Sequence, residues 1–369
     1  MIDSEFKNIF HELENGHIEL RDRLNALSPR DNDFYDRLNE EMNRFEPWRF
    51  HLMDALGVLL GRHKQQEKYQ QYVRSTRYFE IIQEAPFYWR IINKPNGYAG
   101  DAYMMHFIYR NQFEGQTPFG MFLHKHACET QACIAVRNRK NFLKDQIMRI
   151  GGGKVLSLAA GPAEEIREIL DDKNIAGKYE FLALDHDMDT VMAFNTVYEN
   201  AKFKYALANA FQIISGNYMM AKPRKFARKY CFPRKDFQGW RRILSAAKYE
   251  LNHLETNKFD LLYSSGLYDY IKTFPLDDTK GTVALTRHLF GMVKPGGSLI
   301  IGNFSRSNPR DLRFCMEYVY DWQLIYRSRE EMIHFTRAIP ENQIANIEVM
   351  EEPSGINYFL KIDKTGACP

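Results

Sequence analysis

KVLSLAAGPAEE, residues 154–165, is the stretch whose reading decides the fold. Val155-Leu156-Ser157-Leu158-Ala159 is an apolar run short enough for a buried strand, and it breaks at Gly161-Pro162. EEIREIL follows, with Ile166, Ile169 and Leu170 recurring at helical spacing. The order is strand, tight turn, helix. Pro162 suits a first helical position, where its missing N–H costs nothing. The small residues Ala159, Ala160, Gly161 and Ala163 let a ligand come close to the backbone. The unpaired amides and positive dipole end of the helix favour an anionic or strongly polar group there.

Working outward toward the C-terminus, strands and helices alternate, which implies a parallel sheet with helices on both faces. Strands are expected at 154–159, 179–184 (YEFLAL, ending at Asp185), 203–207, 259–263 (FDLLY) and 298–302 (SLIIG). Helices are expected at about 188–200 and at 279–293, the second stopped by Lys294-Pro295-Gly296-Gly297. Residues 309–335 read as helical. The pair 344–350 and 356–362 flanks Pro353-Ser354-Gly355 as a terminal hairpin. Between the third and fourth strands the chain is longer than one connection needs. The insert at about 212–248 is basic in its middle, KPRKFARKYCFPRKDFQGWRR, with Phe226, Tyr230, Phe232, Phe237 and Trp240 interleaved. Such a segment is a nucleic-acid surface, a lid over an acidic small molecule, or a solvated face with a few anchors.

Toward the N-terminus, residues 1–92 read as helices. Phe6, Ile9, Phe10, Leu13, Ile18, Leu20 and Leu24 make one apolar face. A second helix is expected at about 33–62 and a third at 69–82. NKPNGYAGDAYMM, 93–105, is rich in turn formers and holds Tyr98 and Asp101. It is either a linker or a loop that lends polar groups to a pocket. Residues 104–150 return to helix and end at Gly151-Gly152-Gly153, so a helical domain is expected over 1–150 and a sheet domain over 151–369. His124 and His126 (HKH) resemble metal ligands, but no third ligand is evident and no metal is expected.

The 369 residues are 44% hydrophobic and 26% charged, as in ordinary soluble proteins. A net charge of +3 does not by itself imply a nucleic-acid or membrane partner. No apolar run approaches a membrane span. The acidic, amphipathic N-terminus lacks a signal-peptide layout, and the five cysteines lack zinc spacing. A cytoplasmic protein with reduced thiols is expected.

A nucleotide-like cofactor on an open parallel sheet binds beyond the carboxyl ends of the strands. A dinucleotide fingerprint would need glycines at 159, 161 and 164, and the chain has Ala159, Gly161 and Glu164. A carboxylate at the third position would stand against a pyrophosphate. S-adenosylmethionine has no phosphate. It needs close backbone approach for its amino-acid end, a carboxylate for its ribose and an apolar slot for adenine. Ala159, Ala160 and Gly161 offer the first and Asp185 the second. Asn209, Ala210 and Phe211 can frame adenine, and Ser264, Ser265 and Gly266 end the fourth strand where the methyl group would be delivered.

VLSLAAGP, FLALDHD, ANAF, FDLLYSSGLYDYI and VKPGGSLIIGNF resemble the successive motifs of class I S-adenosylmethionine-dependent methyltransferases. PNGYAGDAYMM, LIIGNFSRSNPRD and DWQLIYRSREEM resemble, more narrowly, bacterial methyltransferases of the 3-hydroxypalmitate methyl ester (extracellular factor) type. The resemblance runs from about residue 75 to the end. It implies a Rossmann-like α/β sheet of seven strands, the last antiparallel, with a helical N-terminal region over the pocket. It adds His186 to the cofactor set and Tyr98 and Asp101 to the pocket. Ala159 and Ala163 stand where the family usually has glycine, and Asn209 where aspartate is common. Alanine serves there if its backbone angle is unstrained.

Methyl transfer is an in-line displacement that depends mainly on positioning. A carboxylate acceptor, as in a hydroxy fatty acid, needs donors but no base. Tyr98, Tyr103, Tyr268 and Arg137 are candidates. An amine or hydroxyl acceptor needs its proton removed, for which His124, Asp101 or Asp269 are candidates. A methyltransferase of another metabolite or of RNA, and a non-catalytic S-adenosylmethionine-binding module, are the alternatives.

Overall fold

The computed structural model describes residues 2–61, 65–195, 202–210, 213 and 256–366. Phe211 and the basic insert, apart from Ile213, lie outside the described residues. The chain forms two compact units, Met1–Arg137 with Ser307–Leu324, and Asn138–Arg306 with Ile325–Pro369. The sequence reading set its boundary at 150 and kept 307–324 with the sheet.

The first unit is helical: α1 (Ser4–Asn25), α2 (Phe34–Leu60), α3 (Gln66–Arg74), α4 (Arg77–Ile81), α5 (Pro86–Asn93), α6 (Ala102–Arg110) and α7 (Pro118–Cys128), with α8 (Gln131–Arg149) running on into the second unit. Asp3 caps α1, its carboxylate accepting from the amides of Glu5 and Phe6 at 2.7 and 3.3 Å. The buried face of α1 is Phe6, Phe10, Leu13, His17, Leu20 and Leu24. Ile9 and Ile18, expected on that face, are only half-buried. Ser307–Leu324 is anchored within this unit: Arg49 pairs with Asp311 at 3.4 Å and Gln70 donates to the Glu317 carbonyl at 2.6 Å. This explains why 309–335 is not one helix. Asp321 takes a left-handed φ of 51°, which ends the run.

The second unit holds one seven-stranded sheet in the order β3-β2-β1-β4-β5-β7-β6. Its strands are β1 (Gly153–Leu158), β2 (Tyr179–Asp185), β3 (Phe203–Leu207), β4 (Phe259–Ser264), β5 (Val293–Phe304), β6 (Ile344–Glu351) and β7 (Asn357–Lys364). The pairs among β1 to β5 are parallel, and β7 runs against both its neighbours. This is the α/β sheet of seven strands with an antiparallel last strand that the resemblance implied, with the terminal hairpin in place. Helices α9 (Glu164–Leu170), α10 (Lys173–Ala176), α11 (Met188–Asn195) and α12 (Gly281–Met292) alternate with the strands. Short helices α13 (Arg310–Phe314) and α14 (Arg329–Ile333) follow β5.

Lys294-Pro295-Gly296-Gly297 does not separate α12 from the next strand. It lies inside β5, whose pairing with β4 shifts register between Phe259 and Leu261. The helix expected at 279–293 does stop just ahead of this stretch, at Met292, and the two glycines accommodate the bulge that follows. No helix among the described residues is long and apolar enough to cross a membrane.

Candidate cofactor site

β1 ends at Leu158, and the chain turns through left-handed conformations at Ala159 (φ 55°), Gly161 (56°) and Ala163 (50°). The condition that the alanines be unstrained is therefore not met. Each keeps a conformation that disfavours a Cβ by about 1–2 kcal/mol. Neighbouring strands hold the turn in place. The Ala160 amide donates to the Leu184 carbonyl at 3.1 Å, and the Gly161 amide to Asp185 Oδ2 at 2.9 Å. The Tyr205 hydroxyl donates to the Gly161 carbonyl. Backbone strain that is over-determined in this way is characteristic of ligand sites. Among the described residues, a Cβ placed on Gly161 would meet nothing within 4 Å, so none of their side chains covers the backbone of the turn there.

Asp185 ends β2 and is 4% exposed. Besides the Gly161 amide, its carboxylate accepts from the Asp187 amide at 3.0 Å, and His186 Nδ1 lies 3.3 Å away. A carboxylate offers about four lone-pair positions, so two backbone donors leave acceptor capacity for a ligand hydroxyl pair. Beyond β3, the Ala208 amide donates to the Asp185 carbonyl at 2.7 Å. Asn209 is exposed there and Ala210 is buried. At the end of β4, Ser264 is fully buried and its Oγ has no hydrogen-bond partner among the described residues. Leaving such a hydroxyl unsatisfied costs about 1–3 kcal/mol, so it is a group suited to a ligand. Ser265 and Gly266 follow, half-buried.

Two groups absent from the sequence reading, Arg139 and Glu165, lie with the expected candidate Asp269 at the same strand ends. Arg139, on α8, is 7% exposed and donates to the Ser265 carbonyl at 2.9 Å. Its charge acts on two buried carboxyls, Glu165 in the first turn of α9 and Asp269 after β4. Burial pushes Glu165 above the usual carboxylate range, against a 2.6 Å hydrogen bond from the Tyr263 hydroxyl and the pull of Arg139. Burial also pushes Asp269 up to about 7, although the Phe304 amide donates to it at 2.7 Å and Arg139 and Arg327 both favour its ionised form. One guanidinium acting on two carboxyls offers groups of both signs, as a zwitterion requires. In the sequence, Arg139 is one of three basic residues in RNRK, and nothing in the spacing says which of them is buried. Glu165 was legible only as the neighbour of Glu164.

The expected acceptor-binding residues divide between the two units. The Tyr268 hydroxyl bonds to the Thr286 hydroxyl at 3.0 Å, and its ring packs against Phe335 with centroids 5.4 Å apart. It is part of the core of the sheet unit. Tyr98, Asp101, His124 and Arg137 belong to the helical unit. Asp101 caps α6 through the Met104 amide at 2.8 Å and pairs with Arg90 at 2.7 Å, while the Arg90 guanidinium lies 4.6 Å from the centroid of the Tyr103 ring. Arg137 donates to the carbonyls of Cys128 and Ile108 and to Glu129, which fastens the C-terminus of α7. Tyr98 is half-buried. In the HKH segment, His124 Nδ1 meets the Phe87 amide at 3.2 Å and His126 Nε2 meets Glu46 at 2.6 Å. Among the described residues no three metal-ligating side chains come together.

No family model matches the chain, and no curated protein sequence matches it. Solved structures with a similar fold do exist. A Bordetella parapertussis protein described as a possible exported protein is 12% identical, with a TM-score of 0.49 over 91% of this chain and 100% of its own. The CurJ carbon methyltransferase is 11% identical, with a TM-score of 0.42 over 97% and 99%. A Burkholderia thailandensis 1,6-didemethyltoxoflavin-N1-methyltransferase, solved with S-adenosylhomocysteine, is 13% identical, with a TM-score of 0.36 over 63% and 78%. The structural neighbours of this chain include S-adenosylmethionine-dependent methyltransferases, all at low identity.

Proposed function

We propose that the protein is an S-adenosylmethionine-dependent methyltransferase of a small-molecule acid, forming a methyl ester on a carboxylate of the hydroxy fatty acid type. The observation that carries this reading is the turn after β1. It offers open backbone at Gly161, tied directly to a buried carboxylate, Asp185, that keeps acceptor capacity. Further support comes from the Ser264 hydroxyl, unpaired among the described residues, and from Arg139, whose guanidinium suits a carboxylate as Glu165 and Asp269 suit an ammonium group. Glu164 and Glu165 fill the first turn of α9 with negative charge, which disfavours a pyrophosphate there.

Asp185 holds the ribose in this reading, Asn209 and Ala210 frame adenine, and Arg139 with Glu165 receives the amino-acid end. Bound S-adenosylmethionine supplies an electrophilic methyl group on a sulfonium centre. The protein's part is to align the acceptor oxygen with it and to keep water out. Incubation with methyl-tritiated S-adenosylmethionine and a small-molecule extract, followed by mass spectrometry, tests the proposal. Label in base-labile esters is expected. Label only in base-stable products would refute the carboxylate acceptor, and no labelled product would refute the enzyme.

A further inference from the structure

His124 is fully buried in α7, and its two ring nitrogens have unequal surroundings. Nδ1 lies 3.2 Å from the amide of Phe87, near the start of α5. The residue before that helix, Ala85, has no side chain to cap it, so His124 satisfies one of its first-turn amides. A backbone N–H can only donate, so Nδ1 must present its lone pair. The proton of the neutral ring is then on Nε2. Burial first, and the charge of Arg110 second, push the His124 pKa down to about 4, so the ring is neutral at ordinary pH. The positive end of α5 acts in the same direction.

Nε2–H is therefore a buried donor, and among the described residues it has no acceptor. Phe107 packs edge-on to the ring with centroids 4.9 Å apart, and Phe87 lies on it at 6.4 Å. Neither offers an acceptor oxygen. Arg110, which donates to Gln112 at 2.6 Å and pairs with Glu114 at 3.6 Å, still acts on the ring as a cation. A single neutral donor among aromatic rings, with a cation nearby, suits a carboxylate carried on an apolar body.

We propose that His124 is a hydrogen-bond donor for the carboxylate of a ligand of the helical unit, and not a general base. The reading of the function supplies only the ligand's role, as the methyl acceptor. A base would need a free lone pair on Nε2, and the Phe87 amide fixes the proton there. Neutral histidines next to helix N-termini act as such donors.

Octanoate serves as the probe, with the full chain labelled with 15N at histidine. The expected spectrum shows His124 as the Nε2–H tautomer, unchanged down to pH 5, with Nε2–H shifting to saturation as octanoate is added. His124→Phe is expected to weaken octanoate binding on the order of 10- to 100-fold, as for a lost hydrogen bond to a charged group. S-adenosylhomocysteine affinity is expected to stay unchanged. His124→Gln, which keeps an N–H donor, controls for misfolding and should recover part of the affinity. A protonated Nδ1, a His124 signal indifferent to octanoate (a donor to water only), or equal octanoate affinity in His124→Phe would each overturn the proposal. Failure of the wild type to bind S-adenosylhomocysteine would instead overturn the cofactor reading, so the two failures are distinguishable.

Discussion

Replacing Asp185 separates its structural work from its proposed work on the cofactor. Its carboxylate accepts from two amides, Gly161 at 2.9 Å and Asp187 at 3.0 Å, and is 4% exposed. In Asp185→Ala both donors lose their acceptor. The Asp187 amide, whose bond is buried, accounts for about 1–3 kcal/mol, and the Gly161 amide, partly reached by water, for less. A total near 2–4 kcal/mol of stability is expected, read as the shift of a urea unfolding curve. Asp185→Asn keeps one acceptor oxygen for Asp187, so it should cost about half as much. Cofactor binding should follow a different pattern. Both variants lack the charged acceptor for the ribose hydroxyls and should lose about 1–3 kcal/mol of S-adenosylhomocysteine affinity by calorimetry. A folded Asp185→Asn variant that binds as tightly as the wild type would refute the placement of the ribose.

Three further outcomes follow from the same site. Ala159→Gly relieves a left-handed alanine (φ 55°). Relief of about 1–2 kcal/mol against a glycine entropy term of about 0.5–1 kcal/mol should leave a modest net gain in unfolding free energy, and a loss would contradict the strain. Arg139→Met removes the cation that acts on Glu165 and Asp269 and should weaken S-adenosylhomocysteine binding on the order of tenfold or more, while unchanged binding would remove Arg139 from the site. Asp269 has a folded pKa of about 7 against an ordinary 3.8, so the folded protein binds this proton more tightly than the unfolded chain does. Relative to Asp269→Asn, wild-type stability should therefore fall as pH rises from about 4 to about 7 and level off above; a difference independent of pH would contradict the burial argument.

The elements proposed to hold the cofactor were legible in the sequence because they are local to strand ends. KVLSLAAGP and the aspartate closing YEFLALD lie within single strand–turn units, and their spacing alone brings them to one edge of a parallel sheet. Arg139, Glu165 and Asp269 come from three separate segments and acquire their character from burial, which no local pattern encodes. The family pattern pointed to glycine at 159 and 163, and the alanines there could not disclose that they keep the glycine-like angles. Arg137 and Tyr268 were chosen for residue type. The first fastens a helix end and the second packs in the core, both through partners distant in sequence. Residues 309–335 read as helical because apolar spacing does not reveal the interruption made by a single left-handed aspartate, Asp321.

Calorimetric titration of the full chain with S-adenosylhomocysteine tests the central claim most directly. The account expects one saturable site per chain, bound with an affinity that Asp185→Asn and Arg139→Met each reduce. Absence of binding to the wild type, or binding indifferent to both substitutions, would contradict it.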